Sequence, residues 1–319
     1  MSYRIIAIFT VAWSVATPLC AATRNILWQN PGQVDRKNLA SGAGGAATIP
    51  RPPFRFVAED NGGSSPKVKV RDARGNIWSV KFGEEVRSET FASRIAWVAG
   101  YTVEPTHFVA EGRILGVKGL TRAKASIRPD GSFRDARFQL RSQKAKFSKR
   151  YNWSWVNNPF LDTKELNGLK IVVMLVSDWD DKDARDIDRD ANTAVFEERS
   201  GRTIRYLQFI PDWGGSMGKW GNVALRSKWD CKGYRGQNNE FIKGVKNGFV
   251  EWGYSGQRNE VTQGIRPADV HWLMQYLGRL TDAQLRAGLR ASGAAPADIE
   301  CFTSAIRDRL VRLQDVARR

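Results

Sequence analysis

Several charged residues stand where the sequence around them predicts the ends of strands or helices. Lys81 ends a stretch of alternating apolar residues, and Glu89 follows it within a segment of helical spacing. Asp180 and Lys182 follow a second apolar helical run, and Asp212 follows a predicted strand. Phosphoryl transfer from ATP requires a strand lysine held by a helix glutamate, a carboxylate beside the acceptor hydroxyl and a carboxylate for Mg²⁺. The residue types and their order therefore favour that chemistry.

A glycine- and serine-rich turn precedes these residues. Gly62, Gly63 and Ser64 lie between the first two predicted strands, 54–57 and 68–70. Backbone N–H groups in such a turn can surround a phosphate without contributing a side chain. The turn is thus a candidate for covering the phosphates of a nucleotide.

The elements that must position these residues follow from hydrophobic periodicity. Residues 77–82 alternate, so Lys81 is predicted on one face of the strand, with Trp78 and Val80 on the other. Phe91 and Ile95 recur at helical spacing, and Gly100 stands where a helix commonly ends. Beyond residue 163, helical runs alternate with short strands, and residues 266–316 are predicted to be helical.

Four short motifs together resemble the protein-kinase-like fold, in the branch similar to HipA-type kinases and phosphatidylinositol 3-/4-kinases, and in particular exported bacterial proteins of that kind. The resemblance implies an α+β class with two lobes: a small β-rich N-lobe with one helix (54–116) and a larger, mainly helical C-lobe (117–319). The motifs that carry it are Trp78-Ser79-Val80-Lys81-Phe82-Gly83, Glu89 with Ala92-Ser93-Arg94-Ile95-Ala96, Trp179-Asp180-x-Lys182, and Asp212-Trp213-Gly214-Gly215.

The resemblance also implies a role for each charged residue. Lys81 would contact the phosphates of ATP, with Glu89 as its ion-pair partner. Asp180 would be the catalytic base that orients the acceptor, and Lys182 would neutralise the transferred phosphoryl group. Asp212 would bind Mg²⁺. Taken singly, each residue is more typical of an ordinary solvated side chain or turn.

One position departs from the resembled pattern. The pattern has a second metal-binding Asn five residues after the base, where this chain has Arg185. Asp186 or Asn192 would supply that ligand if the loop is longer here. A fold that is retained for binding, without catalysis, is the alternative interpretation.

The same stretch has the oxygen spacing of an EF-hand calcium loop over residues 186–197, with Glu197 at the twelfth position. Ala191 stands where the sharp turn of such a loop needs glycine, and a solvated acidic loop is the alternative. We therefore treat Ca²⁺ binding at Asp186 and Glu197 as a secondary hypothesis.

Composition excludes several classes of protein. The chain has 319 residues, of which 42% are hydrophobic and 26% charged, typical of a globular protein. Only two histidines are present, which excludes a histidine-rich metal site. Sequence patterns for serine hydrolases, zinc metalloproteases and Walker-type ATPases are absent. The net charge of +17 favours contact with anionic surfaces such as phospholipids or acidic polysaccharides.

The N-terminus has the pattern of an export signal. Residues 1–22 combine a short basic start, an uncharged apolar run and small residues near Ala22, where we expect cleavage. The product would be periplasmic or extracellular, with an uncleaved membrane anchor or lipidation at Cys20 as the alternatives. Residues 23–53, rich in Gly, Ala and Pro, are interpreted as a linker. Cys231 and Cys301 then remain, an even number that favours a disulfide in an oxidising compartment.

Basic and aromatic residues define a second function class. A basic hairpin is predicted near 122–141, basic residues continue to Arg150, and Tyr151, Trp153 and Trp155 follow. Tryptophans also recur from Trp213 to Trp252. Exposed aromatics of this kind stack on sugars or bases, so an exported module that binds carbohydrate or anionic envelope ligands is the alternative to a kinase. The other interpretation is that these aromatics pack inside the C-lobe. No nucleic-acid motif of fixed spacing is present.

Overall fold

The computed structural model describes residues 22–141, 145–189 and 191–319. The predicted leader lies outside them, apart from Ala22. The strands are β1 (Ala22–Ile26), β2 (Phe54–Asp60), β3 (Lys67–Arg71), β4 (Ile77–Phe82), β5 (Thr106–Leu115), β6 (Ser132–Leu140), β7 (Ala145–Phe147), β8 (Ala194–Ser200), β9 (Thr203–Phe209), β10 (Ile242–Lys246) and β11 (Phe249–Trp252). The helices are α1 (Val86–Val98), α2 (Lys164–Leu175), α3 (Cys231–Gly236), α4 (Pro267–Leu277), α5 (Asp282–Ala291) and α6 (Pro296–Ala317).

The small lobe is a closed barrel of strands in the order β2-β3-β4-β6-β5, with α1 packed against it. Trp78, Val80 and Phe82 of β4 are buried in the barrel core, together with Val68 and Phe138. Since successive strand residues point to opposite faces, Lys81 projects from the outer face of the barrel. The predicted alternation of β4 is therefore confirmed.

The larger lobe is mainly helical. Helix α2 is buried along almost its whole length and contacts α4, which in turn packs on α6. A mixed sheet in the order β1-β9-β8-β7 and a hairpin of β10 and β11 complete this lobe. Cys231 at the start of α3 forms a disulfide with Cys301 of α6, as the sequence predicted. The predicted two-lobed α+β class is confirmed. Among the described residues, no helix is both long and apolar enough to cross a membrane.

Residues 23–53 differ from the expected linker because they pack against both lobes. Strand β1 pairs in parallel with β9, and Leu27, Val34 and Leu39 are buried in the main core. Trp28 Nε1 donates a 2.7 Å hydrogen bond to the carbonyl of Ala99, directly after α1. The apolar residues spaced among the glycines are buried in the core, so this segment is part of the folded domain and not a solvent-exposed linker.

The basic hairpin near 122–141 is predicted in the larger lobe, 117–319, but its second arm belongs to the barrel of the small lobe. Its turn forms at Gly131, where φ is +84°. The arm after the turn is β6, which pairs with β4 and β5 and completes the barrel of the small lobe. Phe133, Ala136 and Phe138 explain this placement because they point into the barrel core.

Candidate active site

A cavity of ≈ 460 Å³ opens between the two lobes. Residues of both lobes line it, and they include most of the positions that the sequence selected. The predicted site residues found there are Gly62, Gly63, Ser64, Lys81, Glu89, Asp180, Lys182, Asn192 and Asp212. The structure thus brings together side chains that are far apart in the sequence, and the predicted ligands Asp186 and Glu197 are missing from the lining.

Lys81 is the centre of a buried charge cluster. Its Nζ lies 3.0 Å from Glu89 Oε2 and 3.2 Å from Asp212 Oδ2. Glu85, one residue before α1, is a third carboxylate in contact with the same ammonium group. The turn at Gly83, whose φ is +105°, leads the chain from β4 into α1 and brings both glutamates back to Lys81.

Arg137 is a second buried cation, which the sequence analysis did not select. Its Nη1 lies 2.6 Å from Glu89 Oε1, so Glu89 is flanked by Arg137 and Lys81. Arg137 on β6 is directly opposite Lys81 on β4. Arg137 could be selected from the sequence only if the pairing of β4 with β6 were known, because nothing in the local sequence relates residue 137 to residue 81.

The charges of this cluster set its protonation states. Burial alone would disfavour the ammonium form of Lys81, but the carboxylates of Asp212, Glu89 and Glu85 together raise its pKa. Burial would likewise raise the pKa of Asp212, yet Lys81, Arg137 and the Gly214 N–H hold it below its ordinary value. Lys81 is therefore a cation and Asp212 an anion at neutral pH.

Asp212 lies where β9 leads into a glycine turn. The Gly214 N–H donates a 2.8 Å hydrogen bond to Asp212 Oδ1 and fixes its carboxylate. A Cβ atom at Gly214 would lie 2.7 Å from the carboxyl carbon of Glu85, so a larger residue here would displace that carboxylate. Oxygen atoms of Glu85, Glu89 and Asp212 lie within 4.8 Å of one another. Clustered carboxylate oxygens are the ligands that Mg²⁺ and Mn²⁺ prefer. Lys81 Nζ contacts the same three carboxylates, so a divalent cation fits here when Lys81 turns away from Asp212.

Asp180 faces the cavity from the larger lobe. Its Oδ2 lies 3.5 Å from Lys182 Nζ, and Gln257 Nε2 donates a hydrogen bond to its Oδ1. Burial raises the pKa of Asp180, while Lys182 and Asn192 counteract that rise. A carboxylate with a raised pKa beside open space can accept a proton from an acceptor hydroxyl.

Asn192 and Asp186 have separate surroundings. Asn192 lines the cavity, and its Nδ2 donates a 2.5 Å hydrogen bond to the carbonyl of Asp180. Asp186 is buried and forms an ion pair with Arg258. Of the two predicted substitutes for the second metal-binding Asn, Asn192 is thus the one placed at the site. Arg185, at the position of that Asn, pairs with Asp183.

The calcium hypothesis for residues 186–197 finds no support in the geometry. Asp186 is paired with Arg258, and Glu197 is paired with Arg199 at 2.7 Å. Glu197 lies in strand β8, whereas an EF-hand loop leads into a helix. Asp186 and Asp188 thus lie in a short 3₁₀ turn and Glu197 lies in a strand, whereas Asp190 of the predicted loop lies outside the described residues.

Two further carboxyl groups, Asp178 and Asp181, are buried beside Asp180, and no local pattern in the sequence indicated them. Asp178 is buried, and its Oδ1 has no hydrogen-bond partner among the described residues. Burial raises the pKa of Asp178 and also raises that of Asp181, the latter to about 7 despite hydrogen bonds from the Arg258 and Gln257 N–H groups and Tyr254. Asp178 therefore favours the neutral form, Asp181 titrates near neutral pH, and Asp181 joins the Asp180 loop to residues 254–258.

The aromatic clusters are part of the core. Trp153 and Trp155 are each 2% exposed, and Trp213, Trp220 and Trp252 are also buried. Tyr151, which is 41% exposed, differs from them. These five tryptophan side chains thus pack the larger lobe and are not presented for stacking on a sugar ring.

Comparison with known proteins gives structural neighbours only. No family model matches the sequence, and no curated protein matches it. The chain is similar to a crystal structure of the Golgi casein kinase with Mn/ADP bound, at 11% identity and a TM-score of 0.42, over 85% of this chain and 73% of that chain. It is also similar to a Rio2 kinase–ADP/Mg²⁺–phosphoaspartate complex from Chaetomium thermophilum, at 13% identity and a TM-score of 0.31, over 82% of this chain and 72% of that chain.

Proposed function

We propose that this protein is an exported, divalent-metal-dependent phosphotransferase that uses ATP. One observation carries the proposal: Lys81 of the small lobe contacts both Glu89 of α1 and Asp212 of the larger lobe, at the edge of a cavity that Asp180 also lines. A buried lysine is costly unless it is paired, and this one is paired with carboxylates from both lobes. Such an arrangement suits a site that must hold phosphates between the lobes.

The reaction would transfer the γ-phosphoryl group of ATP to an acceptor hydroxyl. The acceptor oxygen forms a bond to the γ-phosphorus, the bond from that phosphorus to the bridging oxygen breaks, and ADP leaves. Asp180 accepts the hydroxyl proton, for which its raised pKa and its place in the cavity suit it. Lys182, 3.5 Å from Asp180, neutralises charge on the moving phosphoryl group.

Asp212 and Asn192 would hold the divalent cation, with Glu85 as a further carboxylate in reach of Asp212. The bound cation would neutralise negative charge on the phosphates. Lys81 would then turn from Asp212 toward the phosphates, while Glu89 stays paired with Arg137. Export remains part of the proposal, supported by the leader pattern and by a disulfide of the kind common in oxidising compartments.

Thermal unfolding with and without Mg²⁺-ATP tests the proposal. A ligand present at 100 times its Kd stabilises the native state by about 2.7 kcal/mol, which is a rise of several degrees in Tm for a chain of this size. Asp212→Asn should abolish the metal-dependent rise. Asp315→Asn, on the exposed end of α6, is the matched control and should keep it.

A second variant separates binding from transfer. Asp180→Asn should retain the shift in Tm but lose phosphorylation of added acceptors, followed by mass spectrometry. If the wild-type protein shows no shift at millimolar Mg²⁺-ATP, the proposal is wrong. The anionic and carbohydrate ligands of the alternative function would then be the next to test.

A further inference from the structure

Three cationic residues lie in one row across the wall of the small lobe. Lys67 of β3 is directly opposite Lys81 of β4, and Lys81 is directly opposite Arg137 of β6. Residues opposite one another on neighbouring strands share a face of the sheet. All three side chains line the cavity between the lobes. We call Lys67, Lys81 and Arg137 the cation row.

Such a row destabilises the sheet that carries it. Like charges directly opposite each other on adjacent strands destabilise a sheet. Lys81 and Arg137 are each 3% exposed, so water screens them little. Burial lowers the pKa of Lys67, and the charges of Lys81 and Arg137 lower it further, against the attraction of Asp60 and Asp212. The stability of the barrel therefore does not explain the row, and binding of an anionic ligand would.

The carboxylates of the site neutralise only part of the positive charge of the cation row. Glu89 pairs with Lys81 and Arg137, but Lys67 has no carboxylate within 4.0 Å among the described residues. The Nε and Nη1 atoms of Arg137 are buried and donate no well-aligned hydrogen bond within the described chain. The Nη1 atom therefore lies close to Glu89 and still has hydrogen-bonding capacity. Hydrogen-bonding capacity remains at both ends of the row.

We propose that the cation row binds an extended polyphosphate chain, with Lys67 and Arg137 as phosphate-binding residues on either side of Lys81. The proposal rests on the proposed function and assigns two further residues to the phosphates of its donor. Adjacent strands are about 4.8 Å apart, so the outer two cations are separated by roughly 10 Å. That separation suits a chain of phosphates better than a single phosphate. The Gly62-Gly63-Ser64 turn, which lines the same cavity, would cover the chain.

The test compares ligands with increasing numbers of phosphates. Isothermal titration calorimetry would give the Kd of AMP, ADP, ATP and inorganic tripolyphosphate at fixed Mg²⁺, for the wild type, Lys67→Gln and Arg137→Gln. A hydrogen bond between charged groups is typically worth about a factor of ten or more in affinity. Each variant should therefore weaken ATP and tripolyphosphate about tenfold, weaken ADP less, and leave AMP nearly unchanged.

Two neighbours provide matched controls. Lys69 shares a face of β3 with Lys67 but is 45% exposed and absent from the cavity lining. Arg134 lies on β6, is exposed and is likewise absent from that lining. Lys69→Gln and Arg134→Gln remove the same charges and should leave every Kd unchanged. Arg137→Lys keeps the charge beside Glu89 and should recover most of the affinity, which separates a binding loss from a folding defect.

The outcomes distinguish this proposal from the proposed function. If Lys67→Gln and Arg137→Gln weaken the binding of AMP, ADP and ATP equally, these residues have a merely structural role and the proposal for the cation row is wrong. No weakening in these variants, with ATP binding lost in Lys81→Ala, would also overturn it while leaving the proposed function intact. If the wild type binds tripolyphosphate through the row but does not bind ATP, the row stands and the proposed function fails.

Discussion

Replacing Glu89 by Gln should destabilise the protein far more than replacing Lys81 by Met, although the two side chains form one ion pair. The side chain of Glu89 is 3% exposed, and it contacts Lys81 at 3.0 Å and Arg137 at 2.6 Å. Burial raises the pKa of Glu89, and the charges of Arg137 and Lys81 counteract that rise. Removing its charge leaves both cations without this carboxylate.

The expected loss of stability depends on which buried charge each variant leaves without a partner. Without the Glu89 charge, Arg137 has no carboxylate within 4.0 Å among the described residues, and an unpaired buried charge costs about 3–5 kcal/mol. Without Lys81, Glu89 keeps Arg137, Glu85 keeps Lys228, and Asp212 is 41% exposed and can be hydrated. We therefore expect a smaller loss for Lys81→Met, about 1–2 kcal/mol.

Urea unfolding at pH 7, followed by tryptophan fluorescence with the disulfide intact and no nucleotide, measures both losses. Adding Arg137→Met to Glu89→Gln should recover part of the stability, because the unpaired cation is then removed. An equal or larger loss for Lys81→Met, or no recovery in the double variant, would refute this account of the cluster.

Two further predictions concern other parts of the molecule. Loss of the disulfide in a Cys231→Ala/Cys301→Ala variant should lower the free energy of unfolding by about 4 kcal/mol, because the bond closes a loop with a sequence separation of 70; equal urea midpoints for this variant and the wild type would contradict it. Asp181 has its pKa raised from 3.8 to about 7, so the native state binds its proton more tightly than the unfolded chain does, and the stability this provides is lost as the pH rises from about 4 to 7. Asp181→Asn, which mimics the protonated acid, should flatten that part of the stability–pH curve, and an unchanged slope would show that Asp181 does not titrate there.

Much of the small lobe could be predicted from the sequence because its signals are local. The alternation of residues 77–82 placed Lys81 on the face away from the barrel core, and the structure confirms that face. The helical spacing after it placed Glu89 in α1, and Gly100 follows the end of that helix with φ of +98°. Strand alternation and helix periodicity depend on neighbours within a few residues, so one sequence is enough to find them.

Tertiary structure alone decided which distant side chains meet. Arg137 lies beside Lys81 because β6 pairs with β4 in one register, which no local pattern reports. Asn192 reaches the cavity while Asp186 is held by Arg258, a choice made by the fold of the loop around them. Residues 23–53 join the core through a few apolar anchors that composition alone could not distinguish from a linker. The register of strand pairing, the partner of each buried charge and the burial of each segment all depend on contacts between distant parts of the chain. Only the tertiary structure could therefore decide them.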